Sequence, residues 1–189
     1  MMMSPGIVSK GGLLAWNPAD KTATVTLSAQ NRKQTTSGPA VTDGVRSENA
    51  KTTGKYHFEI TIDSINGQFP VHGFATAAHN LTNNTAGNDL TSVIVQTNGQ
   101  VYLNGALLTT VDTYIAGNTL AFEIDFATMN MWIEKLGGTG RKGPISLSAM
   151  TAPLFIFAEN QAGSAQSSTL NTGQAAMAIT PTAGFTAGW

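Results

Sequence analysis

Apolar and polar residues alternate along several short stretches of this chain, and Gly, Asn, Asp and Pro separate the stretches at intervals of about eight to twelve residues. The cleanest alternation covers residues 55–63, with Tyr56, Phe58, Ile60 and Ile62 on one face and Lys55, His57, Glu59, Thr61 and Asp63 on the other. A strand of that pattern buries one face in a core and leaves the other wet. Residues 22–28 alternate in the same way. Val93-Ile94-Val95 and Val101-Tyr102-Leu103 flank Thr97-Asn98-Gly99-Gln100. This predicts a hairpin turning on Asn98-Gly99, because both central positions of the favoured two-residue turn need positive φ. Leu103-Asn104-Gly105-Ala106 offers a second turn of the same kind, and residues 121–126 are expected to pair with 129–134 across Ala127-Thr128.

A helical period is missing from every stretch long enough to matter; the nearest approach, the Ala-rich residues 174–179, is too short to stand as a helix. The predicted fold class is therefore all-β, an antiparallel two-sheet β-sandwich with little helix. Residues 137–144 hold four glycines and a proline and are expected to form a long mobile loop. Residues 1–12 show no clear period before Leu13-Leu14-Ala15-Trp16. They are expected to be an N-terminal arm that orders only against a neighbour, with a single domain over 13–189. There is no internal repeat.

Composition narrows the function. With 189 residues and 41% apolar content the chain can build one good core. Charged residues make up 11%, against about 25% in an average soluble domain, so the polar surface comes from Thr, Ser, Asn, Gln and Gly. A net charge of −1, with basic residues scattered apart from Arg32-Lys33 and Arg141-Lys142, supplies no field for nucleic acid. The absence of cysteine excludes disulfides, thiolate metal sites and a cysteine nucleophile. Met1-Met2-Met3-Ser4-Pro5-Gly6 does not have the form of a secretory leader, and no run reaches the roughly eighteen apolar residues of a membrane helix. The expectation is synthesis in a cytoplasm without membrane insertion.

Several segments, in order, resemble the SPRY-type, concanavalin-like sandwiches in the variant that recurs in bacteriophage tail, fibre and capsid-surface proteins. Thr53-Gly54-Lys55-Tyr56-His57-Phe58-Glu59-Ile60-Thr61-Ile62 is similar to that family's SGKWYFEVTI strand, and His72-Gly73-Phe74-Ala75 to its following glycine-containing strand. Gly99-Gln100-Val101-Tyr102-Leu103-Asn104-Gly105 resembles the phage version's GxVYxNG hairpin, residues 116–126 its AGDVIGVAVDLD, and Pro181-Thr182-Ala183-Gly184-Phe185-Thr186-Ala187-Gly188-Trp189 its closing PxGFTxW. Met129-Asn130-Met131-Trp132 stands where the family has Gly-Lys, and Leu154-Phe155-Ile156-Phe157 lacks its LYP. The resemblance spans residues 16–189 and implies a jelly-roll-like binding or structural module recognising proteins or glycans through loops at one edge.

Catalysis is not expected. Phe122-Glu123-Ile124-Asp125-Phe126 resembles the strand of laminarinase-type hydrolases, but Ala127 or Thr128 occupies the place of the second glutamate, and retaining chemistry needs two carboxyls about 5–5.5 Å apart. A hydrolase would need another carboxylate brought beside Glu123 by the fold. His57, His72 and His79 lie on different segments without a spaced partner, and the loop 79–89 holds a single carboxylate, so neither a metal nor another cofactor is expected. Trp132 alternates with core positions and is expected to be buried; Trp189 either folds back onto the sandwich or makes an assembly contact. Fold analogy proposes binding loops at Asn31, Arg32, Asn66, Gln68, Asn83, Asn84, Arg141 and Lys142.

The function expected on these grounds is a non-enzymatic bacteriophage virion component, a capsid decoration or a tail fibre or baseplate part, assembled in the host cytoplasm. Its expected partners are other virion proteins, copies of itself and a host-surface glycan or protein. The alternative is a stand-alone glycan-binding, lectin-like module.

Overall fold

A computed structural model of the chain describes residues 14–36, 42–66, 70–161 and 165–189; the proposed arm, 1–12, and Gln68 lie outside them. Numbered along the chain, the strands are β1 (Trp16–Lys21), β2 (Val25–Ser28), β3 (Lys33–Thr36), β4 (Thr42–Ser47), β5 (Lys55–Asn66), β6 (Pro70–Ala75), β7 (Ser92–Gln96) and β8 (Gln100–Leu103). They continue as β9 (Ala106–Thr110), β10 (Thr119–Asp125), β11 (Asn130–Lys135), β12 (Lys142–Ser146), β13 (Phe155–Gln161), β14 (Ala165–Asn171) and β15 (Thr186–Ala187). Helix is absent among the described residues.

Sheet I runs β1-β4-β13-β6-β7-β8-β9 and sheet II runs β12-β11-β10-β5-β14-β3-β2. All neighbours on these two paths are antiparallel. β5 is long enough for two partners on one side: β14 pairs with it from Glu59 onward, and β15 lies parallel beside Tyr56 and His57. The two-sheet sandwich expected from the alternation is the observed fold.

Between the sheets, Tyr56, Phe58, Ile60 and Ile62 of β5 meet Phe74 of β6, Val93 and Val95 of β7 and Phe122 and Ile124 of β10. Phe58 and Phe122 are stacked at 5.3 Å between ring centroids, and Phe74 stands edge-on to Phe58 at 5.6 Å. Burying apolar area at about 25 cal/mol per Å² makes this the main stabilising contribution.

The local predictions hold with differences. β10 pairs with β11 in the expected register, Ala121 opposite Glu134. β7 pairs with β8, but their connection is a three-residue turn in which Gly99 alone is left-handed, φ +81°. The two-residue turn with both φ positive is the second one, Asn104 (54°) and Gly105 (71°). Residues 22–24 form a turn rather than extending β2, since the Val25 amide donates to the Thr22 carbonyl at 3.2 Å. β12 begins inside the glycine-rich segment assigned to a loop.

The larger correction concerns the outer faces. His57 and Glu59, placed on a wet face by the alternation, are 1% and 3% exposed. After β14 the chain crosses the outer face of sheet II, where Ile179 and Thr182 bond to side chains of β5 and β10, and then returns beside β5 as β15. Residues 76–91 likewise cover sheet I, where Leu81 and Ala86 pack with Val71, Ala75, Ile94 and Phe157 in a second apolar cluster. This cover explains why all six residues of β4, Asp43 and Arg46 included, are buried without alternation.

Candidate interaction surface

An open concave surface lies at one end of the sandwich. The three-residue β7–β8 turn and the β9–β10 connection meet there beside the end of β5, around a cavity of about 490 Å³ lined by Ile65, Thr97, Asn98, Thr113, Tyr114, Ile115 and Ala116. Each wall has a local cause. Gly99 is required because a Cβ would stand 2.2 Å from the Val111 carbonyl oxygen, and that close approach is the hydrogen bond from the Val111 amide to the Gly99 carbonyl, 2.8 Å. The Tyr114 hydroxyl donates to the carbonyls of Pro70 and Val95, at 3.0 and 3.1 Å, pinning the connection to the top of sheet I. Asn118 Oδ1 accepts from the Ile115 amide at 2.9 Å, while the Gly117 amide donates to the Ile62 carbonyl at 2.7 Å. Ile115 is left 70% exposed. The lining is uncharged and its aromatic ring, Tyr114, is buried, so the cavity suits an aliphatic or amide-bearing side chain.

Behind Tyr114 lies His72, whose Nδ1 is 3.4 Å from the tyrosine oxygen. Burial pushes the imidazole down to a pKa of about 3 and the Tyr114 hydroxyl upward, so both are neutral.

A second constellation sits on sheet II under the C-terminal segment. His57 on β5 and Glu123 on β10 are cross-strand neighbours, with Nδ1 donating to Oε1 at 3.1 Å; Glu59 Oε1 lies 4.0 Å from Nε2. Arg141 Nε donates to Glu123 Oε2 at 2.6 Å. The Thr182 amide donates to Glu123 at 2.7 Å and the Ile179 amide to Glu59 at 2.7 Å. Burial acts to lower the His57 pKa, but the carboxylates of Glu123 and Glu59 outweigh it and the net shift is upward. Burial acts oppositely on Glu123, but the bonds from His57, Thr182 and Arg141 hold it down at about 2; Glu59 is lowered against burial by His57 and the backbone amides. The fold thus brings a second carboxylate near Glu123, on the far side of the imidazole. Both are closed in by the chain and fully engaged, and the gap beside His57, Glu123 and Arg141 is only about 10 Å³. The arrangement clamps a segment of backbone and has no room for a substrate.

His79 forms a third buried pairing: its Nε2 lies 3.0 Å from Glu159 Oε2, and the Ala86 amide donates to Glu159 Oε1 at 3.0 Å. Burial raises the Glu159 carboxyl against the opposing effect of His79. These contacts fasten the loop 76–91 to sheet I. Among the described residues, no group of three or more His, Asp or Glu side chains is placed so that it could hold a metal ion.

The residues proposed from sequence do not come together. Asn31 (φ 61°) and Arg32 belong to the β2–β3 turn, beside the chain's entry, where the Trp16 amide donates to the Asn31 carbonyl at 2.9 Å. Asn66 ends β5 at the cavity end, exposed. Asn83 is exposed on the cover of sheet I, whereas Asn84 is structural, donating to Asp89 at 2.6 Å. Lys142 opens β12, and Arg141 is held by Glu123 with its guanidinium 4.2 Å from the Trp132 ring centroid. The segment before it is not free either: Thr139 donates to Asp112 through its amide (2.7 Å) and its hydroxyl (2.8 Å).

Trp132 does not enter the core. Its neighbours Met131 and Ile133 do, so it points outward, half-buried and edge-on to Phe185 at 5.6 Å. Trp189 folds back: its ring packs on Tyr56, Phe58 and Phe74, and its Nε1 donates to the Asn49 carbonyl at 2.9 Å, so the ring is occupied within its own domain. Ile115 and Tyr114 were missed as site residues; the signal available was an isoleucine between polar and glycine neighbours, Thr113-Tyr114-Ile115-Ala116-Gly117.

No protein-family model and no curated protein sequence matches the chain. Among solved structures it is similar to the SPRY domain of human HERC1, with a TM-score of 0.71 at 13% identity over 86% of this chain and 100% of that one. It is similar to stonustoxin, TM-score 0.64 at 13% identity over 84% of this chain and 27% of that one. The PSpry domain of TRIM65 gives a TM-score of 0.62 at 15% identity over 84% and 91%. Identities this low speak to architecture and leave function to the site. With two antiparallel sheets, no helix among the described residues and these neighbours, the chain has the SPRY-type β-sandwich fold.

Proposed function

We propose that this domain is a non-enzymatic binding module of a bacteriophage particle that docks a protein partner at its loop end. The observation that carries the binding half is the uncharged cavity with Ile115 standing 70% exposed at its rim. The cavity lies at the end of the sandwich opposite Trp189, which packs on Tyr56 and donates to the Asn49 carbonyl. The virion half is supported by the segments Gly99–Gly105 and Pro181–Trp189, where the sequence resembles the phage variants. SPRY-type domains serve generally as protein-interaction modules, which agrees with a docking role.

The glycan alternative has one observation in its favour, the half-exposed pair Trp132 and Phe185 on sheet II. The Arg141 guanidinium covers the Trp132 face that a sugar would need, so the protein partner is the better reading.

The test is detection of the chain in purified particles from its source, with wild type compared with Ile115→Asp. Wild type in the particle fraction and loss of the variant are expected. Absence of wild type from particles defeats the virion reading. Sugar binding that Trp132→Ala abolishes and Ile115→Asp spares would establish the lectin instead.

A further inference from the structure

After β14 the chain crosses sheet II between two anchors. At the first, Thr172 Oγ1 and Gln174 Nε2 both donate to the Leu14 carbonyl, at 2.8 and 2.6 Å. At the second, the Gly188 amide donates to the His57 carbonyl at 2.8 Å and the Trp189 ring packs on Phe58 and Phe74. Between them, residues 177–187 carry no charged side chain, and Ile179 is the one buried residue. Phe185 is half-buried against Trp132, and the strand of this stretch, β15, has two residues. A segment with so little burial and so short a ladder opens at lower free energy than the sheet beneath it.

The two bonds that hold the middle of this stretch down both end on one side-chain cluster, from the Ile179 amide to Glu59 and from the Thr182 amide to Glu123, each 2.7 Å. His57 stands between these glutamates. Its Nδ1 is 3.1 Å from Glu123 Oε1, and its Nε2, buried with no hydrogen bond, has Glu59 Oε1 4.0 Å away. An imidazolium carries a donor on both nitrogens, whereas the neutral ring must turn a lone pair toward one of the carboxylates. The other charged groups on this face are Arg141, bonded to Glu123, the ion pair of Lys55 with Asp125, and Glu134 beside the same small gap. Of these residue types, histidine is the one that ordinarily changes charge near neutrality.

We propose that residues 177–187 form a strap that lifts off sheet II between the two anchors while the sandwich stays folded, and that the charge on His57 sets whether it is shut. With the ring protonated, imidazolium and guanidinium balance the two carboxylates that accept the strap's amides. When the ring loses its proton, the buried carboxylates are short of one positive charge, and lifting the strap relieves this by admitting water to them. Burial acts against the protonated ring, but Glu123 and Glu59 raise the His57 pKa in the shut form. Opening is therefore favoured as pH rises above 6.5, and it levels off beyond the shut-form value. The strap shares no residue with the loop-end cavity, so the proposal stands or falls separately from the reading above.

Amide hydrogen exchange of the full chain from pH 6 to 9 tests it, read as protection factors so that the base-catalysed rate of a free amide is divided out. Protection at Ile179 and Thr182 should fall with pH, by at most about tenfold per pH unit, the limit for one proton. The amides of Phe58 and Phe122 in sheet II should keep theirs. His57→Gln should flatten the pH profile at Ile179 and Thr182. Glu59→Gln leaves an acceptor for the Ile179 amide but removes one carboxylate charge, so it should move the fall to lower pH; it decides the matter if the His57 variant does not fold. Protection at Ile179 and Thr182 that is constant with pH, or that falls in step with Phe58 and Phe122, overturns the proposal. So does a wild-type profile in either variant.

Discussion

Trp189, the last residue of the chain, lies on Phe74 from the middle of sheet I, with ring centroids 5.5 Å apart and planes 30° from parallel. The same indole also contacts Tyr56, Phe58 and Phe126. The C-terminal residue thus completes the bottom of the core, and β15 beside β5 holds it there. Replacing Trp189 by Ala should cost roughly 3 kcal/mol, toward the lower end for a large aromatic because the ring is only half-buried. Trp189→Phe should recover most of the loss. Denaturant midpoints at constant slope check both.

The clamp on the C-terminal segment sets a pH dependence with two limbs. His57 has its pKa raised above 6.5, so its contribution is complete below that pH and is lost as pH rises through the folded value. Glu123 and Glu59 are lowered from 4.5, so theirs is present above that pH and is lost as pH falls, for Glu123 toward about 2. The stability difference between wild type and His57→Gln should be constant through mildly acidic pH and shrink on the alkaline side. Urea midpoints from pH 5 to 9 measure it; a difference that stays flat across that range would show that His57 does not hold the clamp.

His72 acts on the acid side. Its folded pKa of about 3, against 6.5 in the unfolded chain, means that as pH falls between those values the unfolded chain takes up a proton the folded chain refuses. Stability from this source falls by about 1.4 kcal/mol per pH unit. His72→Leu should remove that dependence while the Tyr114 hydroxyl keeps its two carbonyl acceptors. Melting temperatures of the two proteins should converge at neutral pH relative to their separation at pH 4, with the variant favoured in acid.

Two left-handed glycines at the cavity end differ in a way that substitution exposes. Gly117 (φ +87°) has open space where a Cβ would go, whereas Gly99 (φ +81°) would place one against the Val111 carbonyl. Gly117→Ala should cost about 1 kcal/mol for the backbone conformation alone. Gly99→Ala should cost at least about twice that and loosen the β7–β8 turn. Chemical denaturation gives the magnitudes, and amide exchange at Val111 reports the turn.

Much of this was legible in the sequence, for identifiable reasons. The alternation of β5 and the β10–β11 register follow from a side-chain period of two, which is local. Asn104-Gly105 could be read as a turn because few residues tolerate two positive φ angles in succession. The proposed binding residues were not legible as a set. Asn31, Asn66, Asn83 and Arg141 are polar loop or edge residues like many others in this chain, and nothing local says which end of the sandwich a loop reaches.

The sequence by itself determined an all-β chain and the faces of its strands that meet between the two sheets, because side-chain pattern acts over a few residues at a time. Tertiary structure alone decided that the polar face of β5 is covered, that His57 lies between Glu59 and Glu123, that Trp189 turns inward while Trp132 turns out, and that Ile115 stands at the mouth of a cavity. The cover of β5, the His57–Glu123 pairing and the seat of Trp189 each depend on segments more than fifty residues apart meeting in space. Such contacts are selected by the burial and hydrogen bonding of the whole domain, which no short stretch of sequence encodes.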